Sequence, residues 1–171
     1  MMRIYLWPSQ RNAWLALFLI SLSLLAVAAY FQYGLGLEPC VKCVYQRMAV
    51  IGIAVFSLLG YLGSSNPLIR LTALAGVLYS AIEGLLIAYD HWDLQASKNA
   101  FFAVCESAPN FPTWAPLHEW LPSYFAAPGL CGDIDWSFLG ATMPAWMTFI
   151  FAGVTLVVTV ATISHIWHKL R

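Results

Sequence analysis

Four cysteines are the residues whose type and spacing most directly predict chemistry in this chain. Cys40 and Cys43 form a C-x-x-C motif preceded by Pro39, and Cys105 and Cys131 lie much farther along the sequence. A two-residue spacer closes a small disulfide ring that is easier to reduce than a long structural bridge. The motif therefore indicates thiol–disulfide redox chemistry, and half of a zinc site is its usual alternative.

The residues that follow the motif favour a reactive thiolate at Cys43. We predict that Cys43 lies at the N-terminus of a helix, where the helix dipole stabilises negative charge. Arg47 follows four residues later and therefore returns to the same helix face. The alternative for Arg47 is a helix-end arginine that extends to lipid headgroups. Because intramembrane charges are functional candidates, we favour a role beside the thiolate or a bound quinone oxygen.

The second pair of cysteines, Cys105 and Cys131, permits two interpretations. As a static disulfide it would stabilise its loop by about 3 to 4 kcal/mol in the chain-entropy model. As a mobile pair it could accept electrons from a soluble thiol protein and pass them to Cys40. The residues alone leave both open, and the many prolines nearby favour mobility.

Composition predicts that a bilayer surrounds these cysteines. Hydrophobic residues make up 61% of the 171 residues and charged residues only 9%, whereas charged residues average about a quarter of a soluble domain. A membrane span needs roughly 20 apolar residues, and four segments qualify, at 13–33, 44–62, 71–89 and 144–166. The first is too long for the apolar region of a signal peptide, so we expect it to be retained. The sequence predicts an all-α, single-domain membrane protein built as a four-helix bundle.

Lysine and arginine are distributed unevenly between the two ends of the predicted bundle. One side holds both termini and the 63–70 turn, with Arg3, Arg11, Arg70, Lys169 and Arg171. The other side holds only Lys42 and Lys98, with Arg47 just inside the second span, and most of the acidic residues. By the positive-inside rule, segments 1–12, 63–70 and 167–171 are cytoplasmic and loops 34–43 and 90–143 are periplasmic. The net charge of zero gives no reason to expect a nucleic-acid partner.

The second predicted loop is long and rich in proline and tryptophan. Its prolines forbid one continuous helix, so we expect one or two short helices on the membrane surface, with Trp and Tyr at the headgroups. The alternative is a loop that only packs its own aromatic residues.

Two further titratable residues lie near the predicted spans. Glu83, inside the third span, either interacts with Arg47 across the bundle or is a protonated structural residue. His91, just outside that span, could pass protons to a reduced quinone or could be a surface histidine without a role.

These residues resemble the DsbB family, the quinone-dependent disulfide oxidases of bacterial inner membranes. The matching segments cover nearly the whole chain and include Phe31-Gln32, Leu37 to Cys43, Tyr45-Gln46-Arg47, Tyr79-Ser80-Ala81, Tyr89-Asp90-His91, Phe102 to Cys105, Cys131, Trp136 to Gly140 and Met143-Pro144. The order of cysteines and spans also agrees. Glu83 departs from the family pattern, which has a basic residue there, so no family role is transferred to it.

The resemblance implies a sequence of thiol exchanges. A reduced periplasmic DsbA-like protein would attack Cys105, Cys131 would then engage Cys40, and Cys43 would be left as a thiolate facing a quinone. The resemblance places Arg47 and His91 near that quinone, which would be ubiquinone or, alternatively, menaquinone. It implies no metal. Electrons would leave as quinol, sustaining disulfide formation in exported proteins.

Three other functions compete with this one. A reductase of the vitamin K epoxide type uses similar chemistry but has its C-x-x-C late in the bundle, whereas here it precedes the second span. A disulfide-stapled structural or partner-binding membrane protein would show stable bridges and no quinone dependence. A zinc site with four cysteine ligands would need a second close pair, which Cys105 and Cys131 do not form.

Overall fold

Four long helices form the frame of the molecule. The computed structural model describes Trp7, residues 9–97, Glu106 and residues 108–170, without the side chains of residues 168–170. The long helices are α1 (Arg11–Ala29, continued by a π-helical turn Tyr30–Gly34), α2 (Val41–Leu62), α3 (Pro67–Ala96) and α6 (Met143–Leu170). Among the described residues, these four are long and apolar enough to cross a membrane. The predicted all-α, four-helix membrane protein is confirmed.

The helix ends follow from local capping chemistry. The side chain of Asn66 accepts the N–H of Leu68 at 3.0 Å, and Pro67 occupies the first turn of α3, where its missing N–H costs little. Pro144 has a similar place, as the second residue of α6. The turn between α2 and α3 is therefore short and holds the two helices antiparallel.

Helix α3 is longer than the predicted span 71–89. It begins at Pro67 and continues to Ala96, seven residues beyond Tyr89. The predicted span ended at Tyr89, just before the charged Asp90, but a helix can project past the apolar layer. His91 is consequently a helical residue and not a loop residue.

The bundle packs in the order α1, α2, α3, α6. Trp14 of α1, Val77 of α3 and Phe151 of α6 are completely buried. Glycine allows the close approaches, since an added Cβ would lie 2.5 Å from the Trp14 ring at Gly60 and 2.4 Å from the Phe151 ring at Gly84. Small residues at interfaces are how membrane helices associate without a hydrophobic driving force between them.

Large apolar side chains cover the outside of all four long helices. They include Leu19, Ile20, Val55, Leu58, Leu71, Leu86, Leu156 and Ile163, all exposed. Such a surface would cause the protein to aggregate in water, but it suits contact with the acyl chains of lipids.

The described part of the connection between α3 and α6 contains two short helices and two short strands. Helices α4 (Leu117–Trp120) and α5 (Pro122–Phe125) are single turns, which agrees with the expected short helices, and their place at a membrane surface stays a prediction. Strands β1 (Ser137–Phe138) and β2 (Ala141–Thr142) form an antiparallel hairpin that the sequence analysis did not predict. Leu139 and Gly140 close it with positive φ angles of 51° and 78°.

Candidate functional site

Cys40 and Cys43 meet at the N-terminus of α2, as the sequence predicted. Cys40 is the N-cap, and its sulfur accepts the backbone N–H of Cys43 at 3.3 Å. The two sulfurs are 2.7 Å apart, and both residues are free cysteines. Cys40 is 3% exposed, whereas Cys43 is only partly buried. The pair is therefore held by the capping geometry, with Cys43 the more accessible thiol.

The surroundings of Cys40 keep it protonated. Its hydrogen bond with the sulfur of Cys43, and then its burial, raise the pKa of the Cys40 thiol above the usual range. Cys40 is therefore a thiol that is difficult to ionise.

His91 connects the cysteine pair to the second loop. Its Nε2 lies 3.6 Å from the sulfur of Cys40 and 3.1 Å from the carbonyl oxygen of Cys131. Its Nδ1 lies 3.2 Å from the side-chain nitrogen of Gln46. The ring is 2% exposed. The interpretation of His91 as a surface histidine is therefore wrong.

Arg47 is buried, and its Nη1 makes two hydrogen bonds. Its Nη1 donates to the side-chain oxygen of Gln32 at 2.6 Å and to the backbone carbonyl of Tyr124 at 2.9 Å. Its guanidinium also lies 4.9 Å from the centre of the Tyr124 ring. The predicted interaction with Glu83 is wrong, because Glu83 lies on the exposed face of α3.

Cys131 is firmly placed at this end of the bundle. It is 2% exposed and disulfide-bonded, while its backbone contacts His91 and the nearby Gly129 N–H donates to the Pro39 carbonyl at 3.1 Å. Cys105, the other predicted loop cysteine, lies outside the described residues. The Cys131 side of the loop is therefore packed against the bundle in this structure, and the mobility of the cysteine pair stays a prediction.

A cavity opens beside the cysteine pair, lined by α1, α2, the end of α3, the second loop and the start of α6. Its volume is about 110 Å³. Its polar lining includes Cys43, Arg47, Gln32, His91, Asp133 and Asp135. The apolar lining includes Leu24, Leu25, Ala28, Val50, Met143 and Met147. Of the predicted site residues that the structure describes, Cys40, Cys43, Arg47 and His91 thus line one space.

Cys40, Cys43 and His91 form the one group among the described residues whose ligand atoms are close enough to hold a metal, within 4.8 Å of one another. However, Nε2 of His91, the atom that would bind the ion, already faces the carbonyl oxygen of Cys131. A carbonyl only accepts hydrogen bonds, so this nitrogen carries a hydrogen. The contact favours an organic ligand in the cavity over a metal on the cysteines.

Three residues that support the site received no role in the sequence analysis. Gln32 contacts Arg47, and Gln46 contacts His91. The sequence could have indicated these roles, because an amide within an apolar span needs a hydrogen-bond partner. Gly129 contacts the first loop, and no sequence pattern marks it.

Another part of the second loop contacts α2 through Tyr45. The hydroxyl of Tyr45 donates to Glu106 at 3.0 Å and accepts the N–H of Asn110.

Comparison with known proteins identifies the family of this chain. Residues 10–161 match the family model "Disulfide bond formation protein DsbB". A disulfide bond formation protein B from Idiomarina loihiensis is 64% identical over 97% of this chain and 92% of its own length. Those from Pseudoalteromonas atlantica and Pasteurella multocida are 51% and 44% identical, over 83% and 92% of this chain and 82% and 88% of their own lengths. The chain therefore belongs to the DsbB family of disulfide bond formation proteins.

Proposed function

We propose that this chain reoxidises a periplasmic DsbA-like thiol oxidase of the thioredoxin fold and delivers the electrons to a membrane quinone. The family name supports the coarser part, a membrane oxidoreductase that forms disulfide bonds. The proposal adds the direction of electron flow, the soluble partner and the lipid-soluble acceptor. In the cell, the chain would lie in the bacterial inner membrane.

The observation that carries the proposal is the shared cavity of Cys43 and Arg47. The sulfur that is accessible in the pair lines a space bounded by membrane helices, so an acceptor could reach it from the bilayer. Leu24, Val50 and Met147 suit the ring and tail of a quinone.

The polar side of the cavity suits the oxygen atoms of a quinone. Arg47 is a permanent hydrogen-bond donor that never loses its charge. Its Nη1 is fixed by Gln32 and Tyr124, so the guanidinium is already oriented. A bound quinone would supply a two-electron acceptor that also takes up two protons. Ubiquinone is the expected quinone, and menaquinone would fit the same requirements.

The two cysteines of the motif would have different tasks in this reaction. Cys43 lies in the first turn of α2, four residues before Arg47, and both features favour a thiolate there. Cys40 is buried, beside His91, which also contacts the Cys131 backbone. Cys43 would therefore face the acceptor, and Cys40 would face the second loop.

The exchange sequence balances without any other reactant. A thiolate of the partner attacks Cys105 in the loop disulfide and releases the thiolate of Cys131. The Cys131 thiolate attacks Cys40, a new Cys40–Cys131 disulfide forms, and Cys43 leaves as a thiolate. The second thiolate of the partner then attacks the partner's own sulfur in the mixed disulfide and releases the Cys105 thiolate. Cys105 attacks Cys131, the loop disulfide forms again, and Cys40 leaves as a thiolate. A bound quinone would take two electrons from Cys40 and Cys43, with two protons, as their disulfide forms again, so that two thiols of the partner become one disulfide and one quinone becomes quinol.

His91 has a less direct relation to the quinone than the sequence predicted. It lines the cavity, which is compatible with proton transfer. Its two ring nitrogens, however, already contact Gln46 and Cys131. We therefore assign the orientation of the acceptor to Arg47 first.

The test combines the purified full chain, a reduced DsbA-like protein and a ubiquinone analogue. Quinone absorbance should fall as the partner is oxidised, and Cys43→Ser should abolish the change while the exposed Ser65→Ala leaves it intact. Trapping the partner on a Cys131→Ser variant should capture Cys105. No quinone reduction by the unsubstituted chain, or full activity of Cys43→Ser, would contradict the proposal.

A further inference from the structure

Two loop segments touch at the buried end of the cysteine pair. Gly129 donates its N–H to the carbonyl of Pro39 at 3.1 Å. A Cβ on Gly129 would lie only 2.4 Å from the carbonyl oxygen of Glu38. Because the obstacle is backbone, it cannot rotate aside. This contact therefore requires glycine at position 129.

His91 fixes the same junction from the side of α3. One nitrogen, Nε2, approaches both the carbonyl of Cys131 and the sulfur of Cys40. Cys131 and Cys40 are 2% and 3% exposed, so both are enclosed at the same place. The imidazole of His91 thus contacts two cysteines from different loops and fixes their relative position.

The hydrogen-bond partners determine which nitrogen carries the hydrogen. The carbonyl of Cys131 can only accept, so Nε2 must donate. Nδ1 then accepts, and the amide nitrogen of Gln46 donates to it. This arrangement satisfies every contact of the buried ring. Gln46 therefore orients the imidazole so that its N–H points to the cysteine junction.

We propose that Gly129 and His91 are positioning residues that hold Cys131 beside Cys40 and direct thiol exchange to that sulfur instead of Cys43. The inference deepens the proposed function and rests on it for the place of this exchange in the cycle. The step itself is balanced: the thiolate of Cys131 attacks the Cys40 sulfur of the Cys40–Cys43 disulfide. The Cys131–Cys40 bond forms, the Cys40–Cys43 bond breaks, and Cys43 keeps the electron pair.

The test isolates this exchange in a full-length Cys105→Ser chain, which retains three cysteines and can form only one disulfide. The protein is oxidised with diamide, equilibrated at pH 8, acid-quenched and alkylated, and the disulfide is mapped by mass spectrometry. We expect the unsubstituted junction to form the Cys40–Cys131 bond in clear excess over the Cys43–Cys131 bond.

Variants at the junction should change that product ratio. Gly129→Ala and His91→Leu should each lower the ratio of Cys40–Cys131 to Cys40–Cys43 disulfide by at least about fivefold, the factor expected from one lost hydrogen bond. His91→Gln retains an N–H donor and should recover at least about half of the Cys40–Cys131 product. Gly153→Ala, at a glycine with nothing within 4 Å, is the matched control and should leave the ratio unchanged.

The mapping does not require a quinone, so it separates this inference from the proposed function. A chain that fails to reduce quinone but shows the expected ratios would contradict the function and not the junction. An unchanged ratio in Gly129→Ala, equal pairing of Cys131 with Cys40 and Cys43, or a His91→Gln variant no better than His91→Leu would overturn the inference. If His91→Leu does not accumulate in the membrane, the Gly129→Ala ratio decides.

Discussion

At the scale of single residues, Cys40 and Cys43 share a contact but not an environment. Both line the cavity, but Cys40 caps α2 and is buried beside His91, whereas Cys43 is only partly buried and lies one helical turn before Arg47. A C-x-x-C pair whose members differ in this way can receive electrons at one sulfur and release them at the other. Its two thiols should therefore react differently with the same reagent.

Alkylation of the reduced chain measures this difference. Because the pKa of Cys40 is raised, Cys40 ionises only at higher pH and stays a poorly nucleophilic thiol near neutrality. We expect iodoacetamide to modify Cys43 about tenfold faster than Cys40 between pH 7 and 9. Peptide mass spectrometry of timed samples provides both rates. Equal rates, or faster modification of Cys40, would show that the two environments are not distinct.

Replacing Arg47 tests its role in the cavity. Arg47→Met removes a charged hydrogen-bond donor, an interaction of about 1.5 to 3 kcal/mol, so the KM for quinone should rise roughly 10- to 100-fold. Arg70→Met is the matched control, because Arg70 lies at the opposite end of the bundle, where it donates to Ser9. Steady-state kinetics with varied quinone measures both. The same KM in the two variants would exclude Arg47 from quinone binding.

The sequence predicted the individual site residues better than their contacts. Cys43, Arg47 and the helix N-terminus follow from spacing along one helix, so local periodicity was sufficient. The contact of His91 with Cys131 depends on how α3 meets a distant loop, and no local pattern contains that information. Glu83 shows the same limit. The sequence indicated that Glu83 lies inside the third span, but it did not indicate which face of the helix Glu83 occupies.

At the scale of elements, glycine contacts determine how closely the long helices pack. Gly84 of α3 touches the ring of Phe151 on α6, whereas Gly153 of α6 has open space around it. Replacing either glycine by alanine changes helix propensity by the same amount, so the two substitutions differ only in their effect on packing.

Alanine substitution at these glycines should have opposite effects on stability. Gly84→Ala should lower the free energy of unfolding by about 1 to 3 kcal/mol, because the added methyl overlaps a completely buried ring. Gly153→Ala should be neutral or slightly stabilising, since alanine favours helix. Thermal unfolding in detergent, followed by circular dichroism, measures both changes. Equal melting temperatures for the two variants would contradict the packing described here.

The long helices were predictable because apolar length is a strong signal, but their ends were not. Helix α3 continues for seven residues beyond its apolar segment, and the side chain of Cys40 caps the N-terminus of α2. Charge marks where a segment leaves the bilayer, whereas capping and packing determine where the helix stops. The hairpin at Leu139-Gly140 was missed because strands of two residues leave no periodic pattern.

At the scale of the whole molecule, exchange with a periplasmic partner requires the cysteine loops to face the periplasm. This orientation is a prediction from the positive-inside rule. In a chain whose four native cysteines are replaced by serine, Ala108→Cys, at an exposed position of the second loop, should react with a membrane-impermeant maleimide in intact spheroplasts. Ser65→Cys, also at an exposed position but in the turn between α2 and α3, should react only after permeabilisation. The reverse pattern would place the redox site in the cytoplasm.

Single-turnover stoichiometry shows whether electrons from a protein dithiol leave through Cys43 to a quinone. The purified chain is mixed with a limiting amount of reduced DsbA-like protein and excess ubiquinone analogue, and quinol and remaining thiols are counted. We expect one quinol for every two thiols lost, and no quinol with Cys43→Ser. Loss of thiols without quinol, or one quinol per two thiols in Cys43→Ser, would contradict this expectation.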